Sequence, residues 1–342
     1  MKIFDFHKII LQGSADSLKK LSVFNPLTIR KKGTRAKAFF ALALVCFLWG
    51  ATWIASKKGV SFMPDSPLNA LQLAGIRQLL GGTLYVSFFL FYKKMSLPKG
   101  REWNSVLILC LLNFVLSNGL STWGVKFVSA GLAAIIGAIF PLWLVVIGLF
   151  SVGNKIPKKA IMGLLIGFSG VCLIFYEHLQ DFMDPDFTFG IIISIIATWT
   201  WALGTLYTKS HAAGFNPYFS LGLQMLISGV ITTSGVNLAG HTVPLNEIPW
   251  QSWTAISFLV IFGSVVSFIC YLYALQNLPI EQASIYAYVN PVVAVICSWL
   301  LFDESVTFFI IIGGLVTLGG VYLVNKAFKN VPTPEQPENE GV

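Results

Sequence analysis

The chain has 342 residues, of which 55% are hydrophobic and only 11% carry a charged side chain. Soluble domains are charged at roughly a quarter of their positions, so this composition excludes a water-exposed surface over most of the chain. The formal net charge of +8 does not indicate nucleic-acid binding, because nine of the 23 basic residues lie before residue 38. A basic cluster ahead of a first apolar segment is typical of a cytoplasmic tail that contacts anionic lipid.

Ten apolar runs follow this tail, each of about 18 residues or more and separated by charged or Pro/Gly-rich breaks. They lie at 38–58, 67–92, 103–125, 129–151, 159–176, 188–208, 217–238, 252–275, 281–302 and 307–325. Residues 1–35 are the basic tail, and residues 327–342 are Pro- and Glu-rich and predicted to be disordered. The sequence therefore predicts an all-α integral membrane protein with ten transmembrane helices.

Loop charges predict the orientation of these helices. With a cytoplasmic N-terminus, nineteen of the 23 basic residues fall on cytoplasmic segments, and three fall on the opposite side. The three are Lys57, Lys58 and Lys126, and the remaining basic residue, Arg77, lies inside a span. Because basic residues are retained on the cytoplasmic side, we expect a multi-pass protein of the plasma or inner membrane with both termini in the cytoplasm.

The two halves of the chain resemble each other. A shift of 150 residues without a gap gives eleven identities between residues 117–174 and their partners. The matched pairs include Pro141 and Pro291, Gly163 and Gly313, and Gly170 and Gly320. Two repeats, 36–176 and 188–326, each contain five predicted helices, and an odd number gives them opposite orientations in the membrane. Inverted repeats of this kind are a transporter architecture that holds its substrate near the midplane.

Three stretches resemble the EamA-like repeats of the drug/metabolite transporter superfamily. They are FLWGATWIASKKG in the first span, PLNALQLAGIRQLLGG in the second, and the C-terminal run from ASIYAYVNP to LGGVYLVN. The resemblance covers about 36–326, nearly everything but the two tails. It implies ten helices around a central cavity and the export or exchange of small metabolites.

One charged side chain lies well inside a span. Arg77 follows Pro67 by ten residues, which at about 1.5 Å per residue places it about 15 Å deep in the membrane. An isolated charge at that depth is costly, so the side chain must face protein or water. It either anchors a substrate carboxylate or a gating contact, or it is tied to carbonyls of neighbouring helices and holds them together.

Hydroxyl and aromatic side chains share one face of the predicted helix 188–208. Ser194, Thr198, Trp201 and Thr205 recur there at steps of four and three, and hydroxyls gain nothing from facing lipid. Interhelical hydrogen bonding is the alternative to a pathway role. Trp49 is equivalent to Trp201 at a shift of 152, and each is expected to offer a solute its ring face and its N–H. The predicted pathway residues are Trp49, Trp53, Arg77, Ser194, Thr198, Trp201, Thr205, Gln224, Tyr271, Ser284, Tyr288 and Asn290.

Two prolines occupy matched positions in the repeats. Pro141 and Pro291 lie near the middle of the fourth and ninth predicted helices. Each removes a backbone donor and frees a carbonyl, which predicts a hinge or gate at the same depth in both halves. A purely structural kink is the alternative.

The sequence contains no arrangement typical of an enzyme, a metal site or a cofactor site. Its four histidines lie in predicted tails or loops, and no Asp or Glu lies in the middle of a predicted span. The function predicted is therefore a secondary transporter, an exporter of small organic metabolites such as amino acids, that works by alternating access. A coupling proton or ion and the oligomeric state stay open.

Two alternatives accompany this prediction. An exchanger of nucleotide-sugars or sugar phosphates belongs to the same superfamily, but phosphate groups call for several clustered cations, and the predicted spans hold one deep arginine. A membrane-embedded enzyme or a sensor is the alternative from a different class.

Overall fold

The computed structural model describes residues 35–149, 157–177, 180–211, 215–278, 286–302 and 306–329. Within these residues the chain forms ten helices, α1–α10, one short 3₁₀ turn at Asp181–Met183, and no β-strand. Their bounds are Arg35–Phe62 for α1, Asn69–Tyr92 for α2, Glu102–Gly124 for α3, Ala130–Ala138 with Phe140–Leu149 for α4, Lys158–Glu177 for α5, Pro185–His211 for α6, Pro217–Leu238 for α7, 250–277 for α8, Tyr286–Phe302 for α9 and Phe308–Lys329 for α10.

Each apolar run predicted from the sequence overlaps one of these helices. The main difference lies at the C-terminus, where α10 continues to Lys329, so residues 327–329 are helical rather than part of a disordered tail. Residues 1–34 and 330–342, which contain most of both predicted tails, lie outside the described residues.

The described helices belong in a membrane. Six of them, α1, α2, α3, α6, α7 and α8, are long and apolar enough to cross one, and α9 and α10 contain the shorter apolar stretches Val289–Leu301 and Phe308–Val324. Large apolar side chains cover the outside; Phe40, Phe91 and Leu165 are 68%, 78% and 64% exposed. Apolar surface on this scale is stable against lipid and not against water. The chain is therefore a multi-pass membrane protein.

The breaks between helices have local causes. Ser129, at the start of α4, accepts a hydrogen bond from the Leu132 N–H at 3.1 Å, and this cap fixes the short turn between α3 and α4. Asn216 caps α7 in the same way, accepting from the N–H groups of Tyr218 and Phe219 at 3.0 Å.

Helices at equivalent positions of the two halves pack against each other. α2 lies along α7, and α5 lies along α10. A Cβ atom on Gly229 of α7 would lie 2.6 Å from the backbone N of Leu79, and one on Gly163 of α5 would lie 2.7 Å from the carbonyl O of Gly320. Small residues allow this close approach of helix backbones in membranes, so these glycines serve packing.

The first helix of each half packs among helices of the other half. α1 lies against α8 and α9, and α6 lies against α3 and α4. At the crossing of α1 and α9, a Cβ atom on Gly50 would lie only 2.6 Å from Cβ of Val293. This exchange brings Trp49 of α1 and Trp201 of α6 into the same central space.

Three of the described helices contain π-helical turns, which are rare and widen a helix locally. These turns are Phe88–Tyr92 in α2, Cys110–Gly119 in α3 and Leu259–Val266 in α8. The π-helical stretches of α3 and α8 overlap when the sequence is shifted by 150 residues. Both contribute side chains to the central space.

Candidate functional site

A cavity of about 200 Å³ lies at the centre of the helices. Its walls come from α1, α2, α3, α4, α6, α7, α8 and α9, whereas α5 and α10 contribute none of the described lining residues. Eight residues singled out from the sequence line it: Trp49, Trp53, Arg77, Ser194, Thr198, Trp201, Asn290 and Pro291.

Other predicted residues lie elsewhere. Thr205 is exposed outside the cavity, and its hydroxyl donates to a carbonyl of its own helix at 2.8 Å. Gln224 is buried on α7, where its amide donates to Ser220 Oγ at 2.9 Å. Tyr271 packs behind Trp49, with ring centroids 5.1 Å apart. Ser284 and the side chain of Tyr288 lie outside the described residues.

The two prolines have different places in their helices. Pro291 lies inside α9 and lines the cavity. The amide of the adjacent Asn290, oriented from its hydrogen-bond surroundings, donates to the carbonyls of Tyr286 and Cys46 at 3.0 and 2.9 Å. Pro141 is the second residue of the segment Phe140–Leu149. It therefore begins a helical segment, a position that tolerates proline, instead of interrupting a continuous helix.

Arg77 is the cation among the described lining residues. Its side chain is buried, and its Nε donates to Ser264 Oγ of α8 at 3.1 Å. Among the described residues the guanidinium makes no other hydrogen bond and no ion pair. A guanidinium has five N–H donors, so its two terminal NH2 groups have no hydrogen-bond partner among the described residues. A buried cation without a partner is costly, so this arrangement favours an anionic ligand.

One side of the cavity, which we call the polar wall, carries hydroxyl and amide groups. It consists of Arg77 and Gln78 from α2 and of Asn113, Ser117, Asn118, Ser121 and Thr122 from α3. Gln78 Nε2 donates to the carbonyl of Phe114 at 3.2 Å and to Asn118 Oδ1 at 3.0 Å, and its Oε1 accepts from Ser228 Oγ. Gln78 thus joins α2, α3 and α7, and its amide bonds within the protein.

The α3 part of the polar wall was not predicted from the sequence. Its signal is present, because Asn113, Ser117 and Ser121 recur at steps of four, and Asn118 and Thr122 follow the last two by one residue. This spacing places all five within the same half of an α-helix's circumference.

A second part of the lining, the aromatic wall, carries ring side chains. It consists of Trp49 and Trp53 of α1, Phe140 of α4, Trp201 of α6, Phe268 of α8 and Tyr286 of α9. The Trp49 N–H donates to the carbonyl of Gly263 at 3.2 Å, so it is not offered to a solute as the sequence suggested. The Trp201 N–H has no hydrogen-bond partner in the described part of the chain.

The position of Trp53 depends on a glycine opposite it. A Cβ atom on Gly137 of α4 would lie 2.7 Å from Trp53 Cζ2. Glycine at this position therefore lets the indole lie back against α4, which keeps the cavity wide.

The helix ends at one side of the bundle are tied together by two lysines. Lys57, at the end of α1, donates to the carbonyls of Val128 and Lys126 at 2.8 and 3.2 Å, in the turn between α3 and α4. Lys126 in turn donates to the carbonyl of Ser66 at 2.7 Å and pairs with Asp65 at 3.3 Å. These contacts hold the α1–α2 loop against the α3–α4 turn.

Comparison with known proteins identifies the family. The model of the EamA-like transporter family matches residues 36–176 and again residues 188–326. The chain belongs to the EamA-like transporter family. As an EamA-like protein it is a membrane transporter of small molecules.

Relatives agree with this assignment. The chain is 25% identical over 288 residues to the uncharacterized transporter YoaV of Bacillus subtilis, covering 84% of this chain and 96% of that one. It is 29% identical over 272 residues to the uncharacterized inner membrane transporter YedA of Escherichia coli K12, covering 79% and 84%. A protein of known crystal structure has the same fold, with a TM-score of 0.57, 13% identity, and coverage of 87% of this chain and 100% of that chain.

Proposed function

We propose that this EamA-like protein is a secondary transporter that exports small carboxylate-bearing metabolites, amino acids or related compounds, by alternating access. The observation that carries the proposal is the Arg77 guanidinium, which is buried in the central cavity with one hydroxyl partner and no carboxylate partner among the described residues. A carboxylate accepts two parallel N–H bonds from a guanidinium, and its charge compensates that of the buried arginine.

The aromatic wall supports a solute that is partly apolar. Indole and phenyl rings contribute burial of apolar surface without demanding a fixed hydrogen-bond geometry. Trp201 adds one N–H without a partner among the described residues. A compound with a carboxylate at one end and an apolar group at the other satisfies both walls at once.

Two observations support ten membrane crossings arranged as inverted repeats. The family model matches two consecutive stretches, 36–176 and 188–326. The packing also repeats: α1 against α8 and α9 corresponds to α6 against α3 and α4 when each helix is exchanged for its equivalent. Both halves contribute to the cavity walls, as alternating access between two repeats requires.

A phosphorylated substrate is less favoured by the same cavity. Phosphate groups are bound by several clustered cations, and Arg77 is the one Lys or Arg among the described lining residues. Carboxylates are therefore favoured as the substrate class over nucleotide-sugars and sugar phosphates.

Metabolite export from cells tests the proposal. A strain lacking the protein is complemented with the wild type, with Arg77→Ala or with the control Arg101→Ala, which changes an exposed loop arginine. Mass spectrometry then compares medium and cell contents. We expect carboxylate-bearing metabolites to leave cells that contain the wild type or Arg101→Ala. They should accumulate in cells that contain Arg77→Ala and in cells without the protein. Export of only non-anionic compounds would contradict the proposal.

Cysteine labelling tests the orientation. In a variant without its five cysteines, single cysteines are placed in the 93–102 loop and in the 177–187 loop. A membrane-impermeant thiol reagent should label 177–187 in intact cells and 93–102 only after permeabilisation. Labelling of 177–187 only from the inside would contradict the inverted repeats.

A further inference from the structure

The π-helical stretch Leu259–Val266 of α8 is held by two side chains of the other half. Trp49 Nε1 donates to the carbonyl of Gly263 at 3.2 Å. Tyr85 Oη of α2 lies 3.1 Å from the carbonyl O of Val265 and 3.4 Å from that of Ser264. The carbonyls of Gly263 and Val265, on either side of Ser264, are therefore bonded from α1 and α2. Each carbonyl has a second lone pair, so these bonds are compatible with bonds inside the helix.

The side chain of Ser264 projects from this fixed backbone to Arg77. Ser264 is completely buried, and its Oγ accepts from Arg77 Nε at 3.1 Å. The adjacent Gly263 makes room for the guanidinium, because a Cβ atom there would lie 3.3 Å from Arg77 Nη2 and 2.8 Å from Thr52 Cγ2. The backbone of Ser264 is fixed, so its Oγ fixes the edge of the guanidinium that carries Nε.

This contact determines where the remaining donors point. A guanidinium is planar and its five N–H groups have fixed directions. Once Nε is bound on one edge, rotation of the group is restricted, and the terminal NH2 groups keep a constant direction relative to the cavity that Arg77 lines. Arginine carries several rotatable bonds, and immobilising such a side chain only upon binding costs affinity.

We propose that Ser264, fixed by Trp49 and Tyr85, is a positioning residue that orients the Arg77 guanidinium for an anionic group in the cavity. This role rests on the proposed function, because it presupposes that Arg77 binds an anion. It gives the π-helical turn of α8 a role: the turn presents a serine to the arginine, and the carbonyls of Gly263 and Val265 accept from Trp49 and Tyr85. Ser264 acts through Arg77, so it should affect affinity for anions and leave neutral ligands unaffected.

Thermal-unfolding titration of the purified protein with benzoate and with benzamide tests this role. The two probes share the ring, and only benzoate carries the anionic group. The unfolding midpoint without ligand reports the structural cost of a substitution, and its dependence on probe concentration reports affinity. For Ser264→Ala we expect benzoate to bind about two- to tenfold more weakly, the range given by loosening one long side chain, with the affinity for benzamide unchanged. Tyr85→Phe, which keeps the ring and removes the hydroxyl, should also lower the affinity for benzoate, but by a smaller factor.

Two comparisons exclude a merely structural explanation. Ser252→Ala removes another fully buried hydroxyl of α8, which donates to the carbonyl of Gly59 at 2.9 Å, and should leave benzoate affinity unchanged. In an Arg77→Lys background, Ser264→Ala should lower the affinity for benzoate by less than about twofold, because an ammonium group has no planar set of N–H donors to orient.

Equal effects of Ser264→Ala in the wild type and in the Arg77→Lys background would overturn the positioning role, as would equal loss for benzoate and benzamide. Benzoate binding that Arg77→Ala leaves intact, or no effect of benzoate on the wild type, would contradict the proposed function itself. The two failures are therefore distinguishable.

Discussion

The two walls of the cavity differ in how their binding groups are used. On the polar wall, Gln78 bonds to Phe114, Asn118 and Ser228, and Arg77 is the one charged side chain among the described lining residues. The aromatic wall presents rings, of which Trp201 keeps an N–H without a partner among the described residues. Charge recognition is therefore concentrated in one side chain, whereas apolar burial is spread over several. Single substitutions on the two walls should differ accordingly in size.

Substitution of Arg77 should give the largest effect. Arg77→Ala removes the charge and the open donors, and loss of hydrogen bonds between charged groups, each about 1.5–3 kcal/mol, predicts about a hundredfold lower transport of carboxylates. Arg77→Lys keeps the charge and should retain part of the activity. Transport rates in proteoliposomes measure both. Absence of both variants from the membrane would show that the arginine serves the fold instead.

On the aromatic wall, Trp201→Ala should have the next largest effect. Loss of roughly 1–3 kcal/mol of apolar burial raises the half-saturation concentration by about one to two decades at tenfold per 1.4 kcal/mol. Trp199→Ala is the matched control, since that indole is 44% exposed on the outside of the same helix. Equal effects of Trp201→Ala and Trp199→Ala would show that Trp201 is not part of the binding site.

Gly137→Ala tests the width set by the aromatic wall. Its Cβ would lie 2.7 Å from Trp53 Cζ2, so the indole must move into the cavity. Overpacking typically costs about 1–3 kcal/mol, and we expect large solutes to lose about tenfold in transport while small ones change little. Gly319→Ala is the control, because nothing lies within 4 Å of its Cβ position. A size-independent effect would contradict this account of Trp53.

Thr205→Ala should give the smallest effect. Thr205 lies on the predicted face of α6 but is exposed, and its one hydrogen-bond partner within the described residues is the carbonyl of Trp201 at 2.8 Å. Transport should change by less than about twofold, as is usual for surface substitutions worth up to about 0.5 kcal/mol. The comparison is Thr198→Ala on the same face, where Thr198 lines the cavity and accepts from Trp143 Nε1 at 2.9 Å. A larger effect at Thr205 would place the pathway elsewhere.

The sequence predicted the features that depend on one helix at a time. Apolar runs predicted the helices because crossing a bilayer demands length and hydrophobicity. Arg77 was identified as a candidate because a charged side chain deep in a membrane span is costly and must therefore face protein or water. Ser194, Thr198 and Trp201, which the helical period places on one face, all line the cavity.

The features that depend on contacts between helices were not predicted from the sequence. The height of the cavity along α6 is set by neighbouring helices, so the periodicity did not show that Thr205 lies beyond it. The partner of the Trp49 N–H is a carbonyl 214 residues away. The bond from Arg77 to Ser264 also joins residues far apart in the chain, and the π-helical turn that carries Ser264 was not predicted from the residue pattern of α8.

The central claim is that Arg77 selects compounds for an anionic group, and efflux from proteoliposomes tests it most directly. Vesicles containing the wild type or Arg77→Ala are loaded with a mixture of amino acids and the corresponding amino acid amides, which lack the carboxylate, and mass spectrometry measures what leaves. The account predicts that the acids leave through the wild type, that the amides are retained, and that Arg77→Ala lowers efflux of the acids about a hundredfold. Efflux of the amides as fast as the acids through the wild type, unchanged by Arg77→Ala, would contradict it.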